Sequence, residues 1–160
     1  MRMREIKFRA LVIFSELYGY HGMSDSRLAG VNEFEKLIEV RDISLNNGKV
    51  DYLTDYEGNE YSFADENLKE VIQYTGLKDK NGVEIYEGDI ISFTDAYCDS
   101  NEDGQSFEEF ENKGAIEYSS EDLRFYVTNK QSIDDEEILR NEVEVIGNIH
   151  ENPELLEGGQ

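Results

Sequence analysis

The chain has no tryptophan, one proline, one cysteine and two histidines among its 160 residues. Each shortage closes off a class of protein. Cys98 has no second cysteine to pair with, so folding requires no oxidising compartment. His21 and His150, with that one thiol, are too few for a zinc site built on nitrogen and sulfur ligands. Asp95, Asp99 and Glu102 lie close to Cys98 in sequence, and negative neighbours disfavour the thiolate that a nucleophile needs. Apolar runs such as Leu11-Val12-Ile13-Phe14 are far too short to span a bilayer. Arg2, Arg4, Lys7 and Arg9 precede that run, but they alternate with Ile6, Phe8 and Ala10, which is a strand pattern rather than a signal peptide. A Gly-rich phosphate loop, a Gly-x-Ser-x-Gly elbow and a His-Glu-x-x-His pattern are all missing. These absences predict a cytoplasmic protein with no cofactor, no bound metal and no catalytic residue set.

Acidic residues are what the chain has in excess. It carries 37 carboxylates against 15 basic groups, a net charge of −22. Residues 1–31 sum to +2, residues 32–72 to −7, residues 73–93 to −2 and residues 94–160 to −15. Such a field repels phosphate backbones, so direct nucleic-acid binding is not expected. The charge serves solubility, or else forms a surface for a basic partner or an imitation of DNA. Adjacent pairs such as Asp134-Asp135 and Glu136-Glu137 carry little information about acid–base catalysis in a chain this acidic. The run Asp99-Ser-Asn101-Glu-Asp103-Gly104 looks like the first half of a calcium loop. Its twelfth position is Phe110 instead of the bidentate Glu, Glu109 and Glu111 fall one residue out of register, and Ser106 stands at the apolar eighth position. Cys98 to Lys113 therefore reads as an exposed acidic loop, with Asp99, Glu102, Asp103, Glu108 and Glu109 as its candidate interaction residues.

Short strand patterns dominate elsewhere. Glu5 to Ala10 alternates. Leu37 to Leu45 changes phase near Asp42, with Ile38 and Val40 in one phase and Ile43 and Leu45 in the other, which predicts a bulge or break. Asn46-Asn47-Gly48 reads as a hairpin turn into Val50-Asp-Tyr52-Leu53, and Glu57-Gly58-Asn59 as a turn into Tyr61-Ser-Phe63. Gly19 to Gly30 reads as a loop. Asn32 to Leu37 is compatible with one helical turn, and the segment from Asp65 with a short helix or a loop feeding a strand at Val71-Ile72. Strands are expected at Ile90–Phe93, Gly114–Tyr118, Arg124–Thr128 and Val143–Ile149, with a short helix over Ile133–Arg140. No internal repeat is legible. The predicted fold is mainly β, with few short helices, small bent sheets and a C-terminal SH3-like or similar small β-barrel. It divides into an N-terminal region, residues 1–72, and a C-terminal region, residues 73–160, packed as one compact unit.

The densest pattern is Gln73-Tyr74-Thr75-Gly76-Leu77-Lys78-Asp79-Lys80-Asn81-Gly82-Val83-Glu84-Ile85-Tyr86-Glu87-Gly88-Asp89-Ile90. Thr75-Gly76, Asn81-Gly82 and Gly88-Asp89 are turn signals, because glycine permits positive φ and asparagine tolerates it. Tyr74, Leu77, Ile85 and Tyr86 are then core candidates. At the far end, Ile146-Gly147-Asn148 reads as a strand end, and Glu151-Asn152-Pro153 as a helix start capped by Asn152, with Leu155 and Leu156 packing back. His150 reads as a strand-end residue.

Arg4-Glu-Ile-Lys-Phe-Arg-Ala10, Gln73 to Asp89 and Val145 to Leu156, in this order, resemble the YopX-like family of phage and prophage proteins. Gly114–Tyr118 and Phe125–Val127 fit the intervals. Members commonly have Trp soon after the opening Phe-Arg-Ala, where this chain has Leu11. The resemblance implies a mostly β accessory protein of a Gram-positive phage or prophage, acting inside the host cell, and it carries over no catalytic residues. The expected function is a non-enzymatic protein-interaction module whose partner is a host or phage protein, or a further copy in a homo-oligomer. The alternatives are an acidic inhibitor that imitates nucleic acid and a carboxylate-metal enzyme.

Overall fold

The computed structural model describes residues 5–18, 30–101, 104–130 and 142–157. These are mainly β, with a curled half-barrel sheet and one short helix. Two compact units divide the chain, Lys7–Gln73 and Tyr74–Gln160, the latter taking in the residues before Lys7.

The first unit contains β1 (Phe8–Tyr18), β2 (Gly30–Glu39), β3 (Asp42–Asn46), β4 (Lys49–Thr54), β5 (Glu60–Tyr61) and the start of β6 (Leu68–Lys78). β1 pairs antiparallel with β2 from Arg9↔Glu39 to Tyr18↔Gly30, and on its other side with β6 from Phe8↔Gln73 to Val12↔Leu68. β3, β4 and β5 form a separate three-stranded sheet. Alternation aims Ala10 and Val12 inward, where they meet Leu53, Tyr61 and Leu68 in a buried cluster. Ile38 and Val40 from the end of β2, and Ile43 from β3, pack against that same cluster. The phase change near Asp42 is thus a break between strands, and it lets both phases reach one core. Asn47 and Gly48 have φ of 51° and 76°, the consecutive left-handed pair that matches the twist of a two-residue hairpin.

Two local expectations give way to strand pairing. Residues 32–37 form no helical turn but lie in β2, because ten register pairs with β1 outweigh a weak local preference. Residues 63–66 form a turn, not a helix. There the Ser62 hydroxyl donates to Asp65 Oδ2 (2.7 Å), and the Asp65 N–H donates to Ser62 Oγ (3.1 Å).

In the second unit β6 continues from Tyr74. It is followed by β7 (Glu84–Tyr86), β8 (Asp89–Asn101), β9 (Gly104–Ser119), β10 (Arg124–Val127), β11 (Glu144–Asn148) and α1 (Glu154–Glu157). The strands order as β10-β9-β8-β11, all antiparallel. Ile85, Ile91, Phe93, Ile116 and Val143 form the buried cluster, with Phe125, Val127 and Val145 packed against it. β9 has no room for a side chain at Gly114, where an added Cβ would lie 2.0 Å from the Thr128 carbonyl oxygen and 2.7 Å from Val127 Cγ1. α1 is the expected C-terminal helix in its shortest form. Leu155 sits over Gly147, where a Cβ would come within 2.9 Å of Leu155 Cδ1.

The expected acidic loop is a correction. Residues 98–101 belong to β8 and 104–113 to β9, and the two strands stay in register from Ile90↔Ala115 out to Asn101↔Gly104. Its Phe107 and Phe110 are three apart, so the segment shows no clean period of two. Cross-strand pairing, invisible to a local pattern, makes it a ribbon. The helix expected over Ile133–Arg140 lies outside the described residues, as does all of the Gly19–Gly30 loop except Gly30.

Leu53 is fully buried, so Leu53→Ala should cost about 2–5 kcal/mol through cavity formation. Gly114→Ala should cost about 1–3 kcal/mol through forced strand separation. Urea unfolding followed by far-UV circular dichroism measures both, and a wild-type midpoint for either variant contradicts the packing described.

Candidate functional site

The centre of the second unit is built from a hairpin loop at Asp79. Its Oδ1 accepts the N–H groups of Asn81 (2.8 Å) and Val83 (2.9 Å), two and four residues on. The main chain closes around it, with Asp79 N–H donating to the Val83 carbonyl (2.8 Å) and Gly82 N–H to the Asp79 carbonyl (3.0 Å). Asp55, 24 residues earlier, makes the same four bonds: Oδ1 accepts from Glu57 (2.9 Å) and Asn59 (2.9 Å), Asp55 N–H donates to Asn59 (3.1 Å) and Gly58 N–H to Asp55 (3.2 Å). Gly58 and Gly82 both adopt positive φ, 88° and 82°. Glu60, Tyr61 and Asp65 then stand opposite Glu84, Ile85 and Asp89 at the same offset. The two units therefore share a repeated hairpin. It escapes a sequence comparison because only a few identical residues, Asp, Gly, Glu and Asp, mark it.

The second carboxylate oxygen separates the two copies. Asp55 Oδ2 stays local, accepting from Asn59 Nδ2 (2.8 Å) and the Tyr61 hydroxyl (3.3 Å). Asp79 Oδ2 accepts the N–H of Val145 on β11 (3.0 Å). Beside it, Lys80 N–H donates to the Val143 carbonyl (3.0 Å), and Lys80 Nζ meets Glu144 Oε2 at 2.9 Å. One edge of the sheet is thereby closed by the Asp79 loop. Burial raises the Asp79 pKa, but the N–H donors of Val145, Val83 and Asn81, helped by the Lys80 charge, hold it below the ordinary carboxylate value. Burial likewise raises that of Asp55, and donors from Asn59, Glu57 and Tyr61 bring it below.

The remaining motif residues support this frame. Gln73 is the last β6 residue paired with β1. Tyr74, Ile85 and Tyr86 are buried, and the two tyrosine rings stand 5.4 Å apart. Thr75-Gly76 is no turn but an irregularity within β6: Gly76 has φ of 89°, the register to β7 shifts between Tyr74 and Lys78, and Thr75 Oγ1 donates to the Ile85 carbonyl (2.7 Å). Asp89 Oδ2 accepts the N–H of Tyr86 (2.8 Å) across the Gly88 turn. Ile146 and Gly147 lie in β11. Asn148 braces the turn after it, its Oδ1 accepting from His150 (3.0 Å) and Glu151 (2.9 Å), its Nδ2 donating to Glu151 Oε2 (3.1 Å). Asn152 turns its side-chain oxygen back to Asn148 N–H (3.4 Å), while its carbonyl accepts from Leu155 ahead of α1 (3.1 Å). Pro153 occupies the position between.

Leu77 departs from its expected core role. It is 43% exposed and lines an apolar cavity of about 330 Å³. Thr75, Ile85, Ile91, Ile116 and Val143 line it too, together with all four residues of β10, Arg124, Phe125, Tyr126 and Val127. Successive strand residues point to opposite faces, so a cavity touched by all four runs along the edge of β10. Glu84, Glu117, Glu142 and Glu144 adjoin lining residues, and Glu121 and Asp122 sit in the turn feeding β10, against Lys78 and Arg124. Sequence reading missed this site. Its one local signal is Leu77, a large apolar residue between Gly76 and Lys78.

Among the proposed acidic residues, the described side chains are those of Glu108 and Glu109. Glu108 and Glu109 are exposed but adjacent on β9, so they face opposite sides of the ribbon. Asp99 pairs with Ser106 through the backbone, and Glu102 and Asp103 lie outside the described residues. Among the described residues no group of three His, Cys, Asp or Glu side chains is placed to hold a metal ion, and no helix is long and apolar enough to cross a membrane.

The family model described as YopX protein matches residues 12–157. Among solved structures the chain is similar to protein EF1440 from Enterococcus faecalis, at 29% identity and a TM-score of 0.50, with 96% of this chain and 99% of that one covered. No curated protein matched.

Because Asp55 and Asp79 have lowered folded-state values, their stabilisation is present above the ordinary carboxylate value and is lost as pH falls through the folded values. Asp79→Ala should cost about 2–3 kcal/mol at pH 7, from three N–H groups losing a charged acceptor. The gap between wild type and variant should narrow below about pH 4. Thermal unfolding across pH 2–7 measures it, and a constant gap refutes the assignment.

Proposed function

We propose that this chain, which belongs to the YopX family, is a non-enzymatic phage or prophage accessory protein that acts inside the host cell by binding another protein. The observation that supports this most is the apolar cavity along β10, with Glu117 accepting the hydroxyl of its lining residue Tyr126 and Glu121 and Asp122 in the turn before the strand. An open apolar cleft with a charged surround is the anatomy of a binding surface: the apolar part supplies affinity, and the rim supplies orientation and partner choice. The most buried carboxylates argue against catalysis in their own way. Asp55, Asp79, Asp89 and Asp95 are each held by donors from the fold, including Asn112 Nδ2 to Asp95 Oδ2 at 2.9 Å. Asp55 and Asp79, whose donors hold them below the ordinary carboxylate value, are poor general acids.

The acidic-inhibitor reading draws on a different feature. Residues 74–160 hold 23 carboxylates and 6 basic groups, and Glu108, Glu109 and Glu111 stand exposed along β9. The two readings separate by where a substitution hurts. Affinity capture from host lysate, followed by reconstitution with the purified partner, should give a stoichiometric complex. Leu77→Glu should weaken it at least tenfold, while Glu108→Lys with Glu109→Lys should change it less than threefold. The reverse pattern favours nucleic-acid imitation, and no reconstituted complex defeats the binding reading.

A further inference from the structure

We infer that β10 takes up an extended, basic segment of the partner as an added β-strand, with alternate apolar side chains of that segment entering the cavity beside it. The inference rests on the protein-binding reading and specifies how the same site works. Among the described residues β10 pairs on one side only, with β9. Thr128 N–H donates to the Ala115 carbonyl (2.9 Å), which makes that opposed pair a hydrogen-bonded one. Pairs alternate along an antiparallel ladder, so Tyr126↔Glu117 and Arg124↔Ser119 are also bonded, and the N–H and C=O groups of Phe125 and Val127 point away from β9. An edge with two outward donors and two outward acceptors is a template for another strand.

Three further features place the added strand here. The opposite edge of the sheet, β11, is occupied by Asp79 Oδ2 and the Lys80 main chain. β10 holds no proline, so each of its outward main-chain N–H groups is able to donate. The side chains of Phe125 and Val127 pack on the core while their main chain faces outward, so a strand laid against them continues the same alternation into the cavity. At about 330 Å³ the cavity stands at the small end of ligand pockets, about 300–1,000 Å³, which suits anchoring side chains.

Charge selects the occupant. Glu117 accepts the hydroxyl of the lining residue Tyr126 (2.6 Å), and Glu121 and Asp122 sit in the turn that feeds β10, against Arg124 on the strand and Lys78 beside Leu77. A second copy would bring another chain of net charge −22 to this edge and be repelled, whereas lysine or arginine flanking the anchors is attracted.

The test pans a displayed library of random twelve-residue peptides against the full chain, then measures the enriched sequences as synthetic peptides by fluorescence anisotropy and amide hydrogen exchange. Enriched peptides should alternate apolar residues with lysine or arginine. At saturation the Phe125 and Val127 amides should exchange at least tenfold more slowly, with Tyr126 unchanged. Val127→Pro removes an outward donor at an edge position that tolerates proline, and should weaken binding at least tenfold. Enrichment of nothing, or of peptides that leave those two amides unprotected, overturns the inference. So does their protection in the free chain, whether by residues 131–141 or by a dimer seen in light scattering. A reconstituted protein complex indifferent to Val127→Pro would leave the binding reading standing and remove this one.

Discussion

The Asp79 carboxylate is the interaction on which the second unit depends. One oxygen organises its own hairpin through Asn81 and Val83, and the other reaches Val145, 66 residues away. A buried anion, 7% exposed, would be costly without such donors, and their combined pull exceeds the desolvation that opposes it. Loop, edge strand and core are thereby tied together: Val143 and Val145, the residues that the loop engages, also pack on the apolar cluster.

The same hairpin, used twice, takes different work in each unit. Asp55 keeps its second oxygen for Asn59 and Tyr61 and so stabilises only its own turn. Asp79 lacks those partners, since Val83 and Ile85 stand at the equivalent places, and its free oxygen face is turned to β11. This asymmetry closes one side of the β10-β9-β8-β11 sheet while β10 remains unpaired on its outer side among the described residues. An apolar cavity is lined by that strand.

The turn chemistry was legible in the residues themselves. Asn47-Gly48, Gly58, Gly82 and Gly88 mark the places where the chain reverses, because only glycine and asparagine enter positive φ cheaply. Alternation at Phe8 and Ala10 announced the start of β1, though Ile6 lies outside it and is exposed, and Tyr74, Ile85 and Tyr86 are the buried residues that the motif led one to expect. The acidic ribbon was not legible, since nothing in the run from Cys98 to Lys113 alternates strongly enough to reveal strands paired over twelve positions. Leu77 was misassigned for a related reason. A leucine signals apolar surroundings, but a core and an open cleft look alike from one residue.

Sequence alone determined the family, the β-rich class and the turns at Asn47-Gly48, Gly58, Gly82 and Gly88, because each follows from residue identity and short-range backbone preference, though not the irregularity at Thr75-Gly76. Tertiary structure decided which edge was closed, which stayed unpaired among the described residues, and where the apolar cavity formed. Those outcomes depend on bonds between residues far apart, above all the one from Val145 to Asp79; Val83 and Ile85 leave that oxygen without a local donor, but no local pattern names the distant residue that takes it.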